Sequence, residues 1–266
     1  MSTTGGVGKI VTDGLILYYD GANPNSLFNS STTINDLTIN DYNGDLINGT
    51  SYVSDRGGGL SFDGIDDTID LGDILNGVLA GTSPTYTIQT WVKFISLVED
   101  ENRMFFTKLA PSVENQRQLY LNCRNRGGAY GGVRIESTHY TIPGLIGSLP
   151  QVRLVRSDGD VIEVNKLHNL TVCFDGSINT NDGLDRPTFY IDGKLQSNVL
   201  VLTFGTLTNT FIPSTSKIAL NGYIGAAGTI PTSPFPGTIY QTLVYDRVLT
   251  QEEVLQNYNT MKSRFK

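Results

Sequence analysis

The sequence predicts an all-β fold: two antiparallel sheets packed as a sandwich, closed by one short C-terminal helix. Three observations predict it. Short β-branched and aromatic runs recur between turn residues, and 29 of the 266 residues are glycine, the pattern of many strands joined by tight turns. The run from Tyr86 to Phe94 alternates cleanly, with Tyr86, Ile88, Thr90, Val92 and Phe94 on one face and Thr87, Gln89, Trp91 and Lys93 on the other, which is strand periodicity. Helical spacing is confined to the end of the chain. There Thr250 and Glu253 form a capping box, and Val254, Leu255, Tyr258 and Met261 share one face of a helix predicted over 251–263.

The remaining elements follow in order. Residues 1–9 carry three glycines and no periodicity, and read as a flexible arm ahead of one domain over 10–266. Leu15 to Asp20 is a buried strand, and Asn23-Pro24-Asn25-Ser26 is a turn. Residues 29–50 are rich in Asn, Thr and Asp, a long surface excursion with Asn43-Gly44 and Asn48-Gly49 as turn dipeptides. Gly57-Gly58-Gly59 leads into Leu60-Ser61-Phe62, and Thr68-Ile69-Asp70-Leu71 follows an acidic turn. Further strands are predicted at 103–108, 117–123, 132–139, 151–156, 160–164, 169–174, 188–192, 199–204, 217–224 and 238–245, with Asp192-Gly193-Lys194 as a tight hairpin turn. The helix is expected to pack on the sandwich rim. No repeat or composition break divides the chain.

Bulk properties exclude several classes of partner. The net charge of −7 argues against nucleic acid, whose backbone needs clustered Lys and Arg, and against anionic membrane surfaces. No run approaches the roughly 20 apolar residues of a membrane-spanning helix. The first nine residues lack the apolar core of a secretory signal, so synthesis in a reducing cytoplasm is expected. Cys123 and Cys173 then read as two free, partly buried thiols.

Three phrases carry a resemblance: Gly14-Leu15-Ile16-Leu17-Tyr18-Tyr19-Asp20, Leu60-Ser61-Phe62-Asp63-Gly64-Ile65-Asp66-Asp67, and Tyr245-Asp246-Arg247-Val248-Leu249-Thr250-Gln251-Glu252-Glu253. Leu167-His168-Asn169-Leu170-Thr171-Val172-Cys173-Phe174-Asp175-Gly176, Thr188-Phe189-Tyr190-Ile191-Asp192-Gly193-Lys194-Leu195, and Tyr223-Ile224-Gly225 with Pro236-Gly237-Thr238-Ile239 continue it in order. The series resembles the laminin-G-like, concanavalin A-type jelly roll over about residues 10–260, with 111–165 departing most. The resemblance implies a jelly-roll sandwich whose loops bind something. Val11-Thr12-Asp13-Gly14-Leu15 and the finish Gln256-Asn257-Tyr258-Asn259 with Lys262-Ser263-Arg264-Phe265 look like virion-associated proteins of tailed phages.

The chemistry is sparse. Glucanases of this fold set carboxylates at alternate positions of one strand, so that an acid and a nucleophile or base share a cleft. Here Glu99-Asp100-Glu101 reads as a solvated loop and Asp158-Gly159-Asp160 as a hairpin turn. His139 and His168 lie near no nucleophile-elbow sequence, and two scattered His with two scattered Cys make a poor zinc set. No glycine-rich loop precedes a helix. A structural calcium is a candidate at Asp63, Asp66 and Asp67, within the acidic stretch that also holds Asp70 and Asp73, with Asp246 as a further ligand, because calcium takes six to eight oxygens. The competing reading makes these aspartates turn formers.

For sugar recognition the exposed-aromatic candidates are Tyr42, Tyr52, Tyr130 and Tyr140, with Arg124, Asn125 and Arg126 as donors. Trp91 is expected between sheet and helix. Together these features predict a non-enzymatic virion component, a capsid decoration or tail-fibre part. It would be oligomeric in the particle, contact other virion subunits through residues 1–9 and adhere to cell-surface glycans. A stand-alone carbohydrate-binding module and a glycoside hydrolase of the same fold are the alternatives.

Overall fold

The computed structural model describes residues 9–98, 101–109, 117–125, 132–142, 151–159, 162–178, 186–204, 210–211, 213–222, 224 and 233–265. The strands among them are β1 (Leu15–Asp20), β2 (Thr33–Ile34), β3 (Gly44–Ile47), β4 (Ser51–Val53), β5 (Gly59–Asp63), β6 (Thr68–Gly72), β7 (Gly81–Thr82), β8 (Thr85–Phe94), β9 (Asn102–Leu109), β10 (Arg117–Asn125), β11 (Val133–Ile142), β12 (Gln151–Asp158), β13 (Leu167–Asp175), β14 (Pro187–Ile191), β15 (Lys194–Leu195), β16 (Ser197–Phe204), β17 (Thr210–Phe211), β18 (Ile218–Leu220) and β19 (Pro236–Tyr245). The helices are α1 (Asn76–Leu79) and α2 (Gln251–Lys262).

These strands form the expected sandwich. One sheet has eight strands in the order β15-β14-β13-β8-β19-β5-β4, with β1 also on β19. The ten residues of β19 hold β5 along their first half and β1 along their second, so Ile239 faces Leu60 while Gln241 faces Asp20. The other sheet has nine strands, β16-β12-β11-β10-β9-β18-β6-β3-β2. Tyr86, Ile88, Val92 and Phe94 of β8 meet Leu119, Leu121, Cys123 and Ile135 of the opposite sheet in one core. Alternation decides this, since every second side chain of a strand points to the same layer.

Four details differ from the sequence reading. Residues 29–50 are not all surface excursion: β2 and β3 form the edge of the nine-stranded sheet, Ile34 is buried and Leu46 packs on the core. The polar Asn and Thr that disguised them point outward. Asn48, at φ 58°, makes the expected turn, whereas Gly44 opens β3, where a Cβ would lie 2.7 Å from Ile69. The predicted strand at 160–164 reduces to one bridge between Ile162 and Val133 among the described residues. Helix α2 lies across the outer face of the eight-stranded sheet rather than on the rim. There Trp91 stacks on Tyr258 at 5.4 Å and meets Phe265 at 4.6 Å. Leu255 is solvent-exposed, and Asn257 takes its place in the buried face.

Other details stand as read. The capping box of α2 is formed, and Arg247 pairs with Glu253 at 2.7 Å. That hydrogen bond draws the Glu253 carboxyl down to about 2. Asp192 and Gly193 both take positive φ in the β14–β15 turn, as a two-residue hairpin requires. Cys123 and Cys173 are free and buried. Cys123 joins the core between the sheets and Cys173 the cluster under α2, so the layers keep them apart. Residues 1–8 lie outside the described residues. Lys9 and Val11, which follow them, run along α2, where the Lys9 carbonyl accepts from Gln256 and the Val11 amide donates to Asn257.

Candidate functional site

The two outward faces of the sandwich differ in kind. On the eight-stranded sheet, α2 seals a polar strip. Asn257 Nδ2 donates to Gln89 Oε1 at 3.0 Å and to the Tyr245 hydroxyl at 2.9 Å, while Gln89 Nε2 donates to Asn169 Oδ1. The Tyr245 hydroxyl donates in turn to the Val11 carbonyl.

On the nine-stranded sheet, the residues between the core positions form polar rows across β9 to β12. One row runs Met104, Asn122, Glu136, Arg156, and the next runs Asn102, Arg124, Arg134. A third holds Thr107, Tyr120, Thr138 and Leu154. Their exposure is graded. Asn122 and Glu136 are 0% exposed, Gln118 and Thr138 1% and Arg156 3%, whereas Tyr120, Arg124 and Arg134 are half-buried. A buried polar floor thus lies beside part-exposed cations and an aromatic ring.

The floor is incompletely paired. Asn122 Nδ2 donates to Asn102 Oδ1 at 3.1 Å and to Glu136 Oε2 at 3.3 Å. Among the described residues, both amide atoms of Gln118 and the Thr138 hydroxyl have no hydrogen-bond partner. Each such orphan costs about 1–3 kcal/mol, and native folds carry few of them. Buried polar atoms without a partner occur on the α2-covered face as well, at Asn169 Nδ2 and Gln241 Nε2. The signal was readable: Gln118, Tyr120, Asn122 and Arg124 alternate with Leu119, Leu121 and Cys123, and Arg134, Glu136 and Thr138 alternate with Val133, Ile135 and Ser137. Of these, the sequence reading singled out Arg124 alone.

The other candidates are placed as follows. Tyr42 and Tyr52 pack partly buried against the core, and Arg126 and Tyr130 lie outside the described residues. Tyr140 is in β11 and Asn125 ends β10. His168 has a structural role: its Nε2 accepts the Glu163 amide and its Nδ1 lies 3.1 Å from Asp192 Oδ2. His139 sits between the sheets, hydrogen-bonded to Tyr86 and Ser137 and stacked on Phe174 at 4.0 Å. Burial, aided by the Arg186 charge, lowers its pKa to about 3. Lys108, also fully buried, satisfies its three donors with Asp73, the Ile74 carbonyl and the Ser216 carbonyl.

The acidic turn brings Asp63, Asp66 and Asp67 together, with one carboxylate oxygen of each within 4.8 Å of the others. Asp246 is not with them. Asp63 pairs with Pro236 at the start of β19 and Asp246 follows its end, a strand length of about 30 Å away. Both oxygens of Asp67 accept backbone amides, from Gly49 at 2.7 Å and Asp63 at 2.8 Å, and Asp63 Oδ1 accepts from Ile65 and Asp66. Burial raises the Asp67 carboxyl pKa, and its acidic neighbours add to that. Three of the six carboxylate oxygens of the cluster accept backbone amides. The cluster's contacts are those of a turn anchor that ties the β3–β4 connection to the β5–β6 connection.

Comparison with known proteins agrees with this architecture. A family model described as the concanavalin A-like lectin/glucanases superfamily matches residues 63–255. No curated protein matches. Domain 4 of AbnA, a GH43 extracellular arabinanase from Geobacillus stearothermophilus solved in complex with arabinotriose, is similar at 17% identity and a TM-score of 0.56. That match covers 92% of this chain and 98% of the other. The binding domain of Paraclostridial Mosquitocidal Protein 1 gives 13% identity and a TM-score of 0.61, over 93% and 52% of the two chains. A mutant of Trypanosoma rangeli sialidase gives 12% and 0.60, over 96% of this chain and 34% of the sialidase. The chain thus spans about a third of the sialidase and half of the toxin domain, and at these identities the likeness is one of fold.

Proposed function

The chain belongs to the concanavalin A-like lectin/glucanases superfamily, and from that premise we propose that it is a non-enzymatic binding module whose outer nine-stranded face takes glycans. The observation that carries this reading is the contrast between the two outer faces. One is sealed by α2, while the other presents Tyr120, Arg124 and Arg134 beside a buried polar floor. An aromatic ring with guanidinium groups beside it is chemistry that can hold a sugar. The arabinotriose complex of the similar arabinanase domain supports the reading by analogy of fold.

The hydrolase alternative starts from Glu136 and Asp158. They share the outer face one diagonal register step apart, with Cα atoms about 7–8 Å from each other. Glu136 is 0% exposed, so neither a glycosidic oxygen nor an attacking water reaches it, and general acid–base work needs both. Calorimetric titration against neutral and acidic polysaccharides, run beside a reducing-sugar assay, separates the two readings. Binding without sugar release is expected. Release that disappears in Glu136→Gln would make the protein a glycosidase, and no binding to any polysaccharide would end the glycan reading.

The setting we propose is a virion, with the module as a capsid decoration or tail-fibre part. The phage-like opening at Val11–Leu15 and the Gln256–Phe265 finish support it. Partner subunits would be met through residues 1–9, on the α2 side, which leaves the polar face on the opposite layer free for display. Deleting residues 1–9 is expected to reduce incorporation into particles, and undiminished incorporation of the folded protein rejects that attachment.

A further inference from the structure

We infer that β16 is a docking edge for a second copy of this chain, and that two copies pair antiparallel along it into one continuous sheet. β16 ends the nine-stranded sheet, and among the described residues it pairs with β12 alone. Its eight residues, Ser197-Asn198-Val199-Leu200-Val201-Leu202-Thr203-Phe204, include no charge, proline or glycine. An edge of that length and composition offers a row of backbone donors and acceptors to another strand, and natural sheets blunt such edges. The other edges here are blunted. β2 and β15 have two residues each and β4 has three. β1 is closed by the loop at 36–40. There Asp36 accepts the Tyr18 amide at 2.9 Å, the Leu37 amide donates to the Tyr18 carbonyl, and Asn40 Nδ2 donates to the Ile16 carbonyl at 2.9 Å.

The flank around β16 is apolar. β15, the edge of the eight-stranded sheet, directly precedes it in the chain, so both sheets end on this side. Leu195 of β15 is 52% exposed and Leu255 of α2 is 42% exposed. Leu255 overlies the β14–β15 turn, its Cδ1 3.2 Å from where a Cβ on Gly193 would stand. Val199 and Val201 are half-buried. Two features select a second copy as the occupant. An antiparallel pair of identical strands is related by a two-fold axis, so the edge is complementary to itself. With no charge on β16, no like charges meet across that axis. One long open edge per chain also closes the assembly at a pair instead of extending it into a fibre. Leu202 faces Leu154 while Leu200 faces Val155, so Val201 is an extra residue in the strand, and such a bulge bends it locally. The ladder between copies is therefore short, and Leu195 and Leu255 add apolar area beside it. The pairing sets the two outer faces side by side on one continuous sheet, whatever those faces bind.

The test is sedimentation velocity of the full chain from about 1 to 200 µM, the range in which a small interface associates. A monomer–dimer equilibrium without larger species is expected, unchanged between about 0.05 and 0.5 M salt because an uncharged edge has nothing to screen. Val201→Lys, which the two-fold axis brings in twice, should weaken dimerisation about tenfold or more. Leu195→Lys, at a side chain already 52% exposed, should weaken it about threefold or more with an unchanged thermal midpoint, and it carries the test if Val201→Lys does not fold. Ile39→Lys, 99% exposed in the loop that closes β1 on the opposite flank, should dimerise like the parent. A monomer at every concentration overturns the inference, as does a dimer that neither Leu195→Lys nor Val201→Lys weakens. A loss in Ile39→Lys as large as in the β16-flank variants moves the contact to another face and overturns it too. Open-ended growth overturns the two-fold pairing, and dissociation by salt overturns the uncharged edge as its basis.

Discussion

Replacing Tyr258 with alanine tests whether α2 is bound to the sheet by the aromatic stack. Tyr258 lies nearly parallel to Trp91, at 10° and 5.4 Å, and Lys262 Nζ sits 5.1 Å from its ring. A half-buried tyrosine removes on the order of 100 Å² of apolar surface from water, worth about 2.5 kcal/mol at 25 cal/mol per Å². The stack adds about 0.5–1.5 kcal/mol. The helix end borders solvent and relaxes into part of the space left, which lowers the total, so Tyr258→Ala is expected to cost about 2–3 kcal/mol. Trp91 is the sole tryptophan of the chain, so intrinsic fluorescence reports helix docking directly. Urea unfolding followed by fluorescence and far-ultraviolet circular dichroism should show the midpoint lowered by about 1 M, with red-shifted native emission. A loss below about 0.5 kcal/mol with unshifted emission would refute the docking of α2 over this face.

Two further outcomes follow from buried groups. His139 is neutral in the folded state with a pKa near 3, because it is buried, while the unfolded chain binds its proton below the ordinary value of about 6.5. Stability is therefore lost as pH falls from about 6.5 to 3, by roughly 4 kcal/mol in all. His139→Gln, which keeps a polar partner for Tyr86, should flatten that slope in urea titrations at several pH values, and an unchanged slope would show that another group is responsible. Asp67→Ala should cost about 2–3 kcal/mol, because the amides of Gly49 and Asp63 lose their acceptor. Adding Ca²⁺ to the metal-stripped parent is expected to leave its thermal midpoint unchanged. A calcium-dependent rise that vanishes in Asp66→Asn would assign a metal to the turn.

Much of the fold was legible because strands and caps are local. Alternation from Tyr86 to Phe94 gave β8 and both its faces, Thr250 and Glu253 gave the start of α2, and Asp192-Gly193 gave a hairpin, since each depends on residues within one turn or one strand. The edge strands β2 and β3 were missed because their few buried side chains, Ile34 and Leu46, sit among turn-forming Asn, Thr and Asp. Asp246 was misplaced among the calcium candidates for a related reason. Sequence motif says that a residue ends a strand, but only pairing says which end of the sandwich that strand reaches.

By itself, then, the order of residues determined the class of fold, the count of layers and, for the run from Tyr86 to Phe94, the chemistry of the strand's two sides. Tertiary structure decided which polar sides meet. It put Asn257 of the helix onto Gln89, hid His139 between the layers, and set Arg124 opposite Arg134 with Glu136 beneath reach of solvent. The physical reason is that alternation has a period of two residues and acts within a strand, whereas burial and charge pairing depend on which strands become neighbours, and residues distant in the chain settle that.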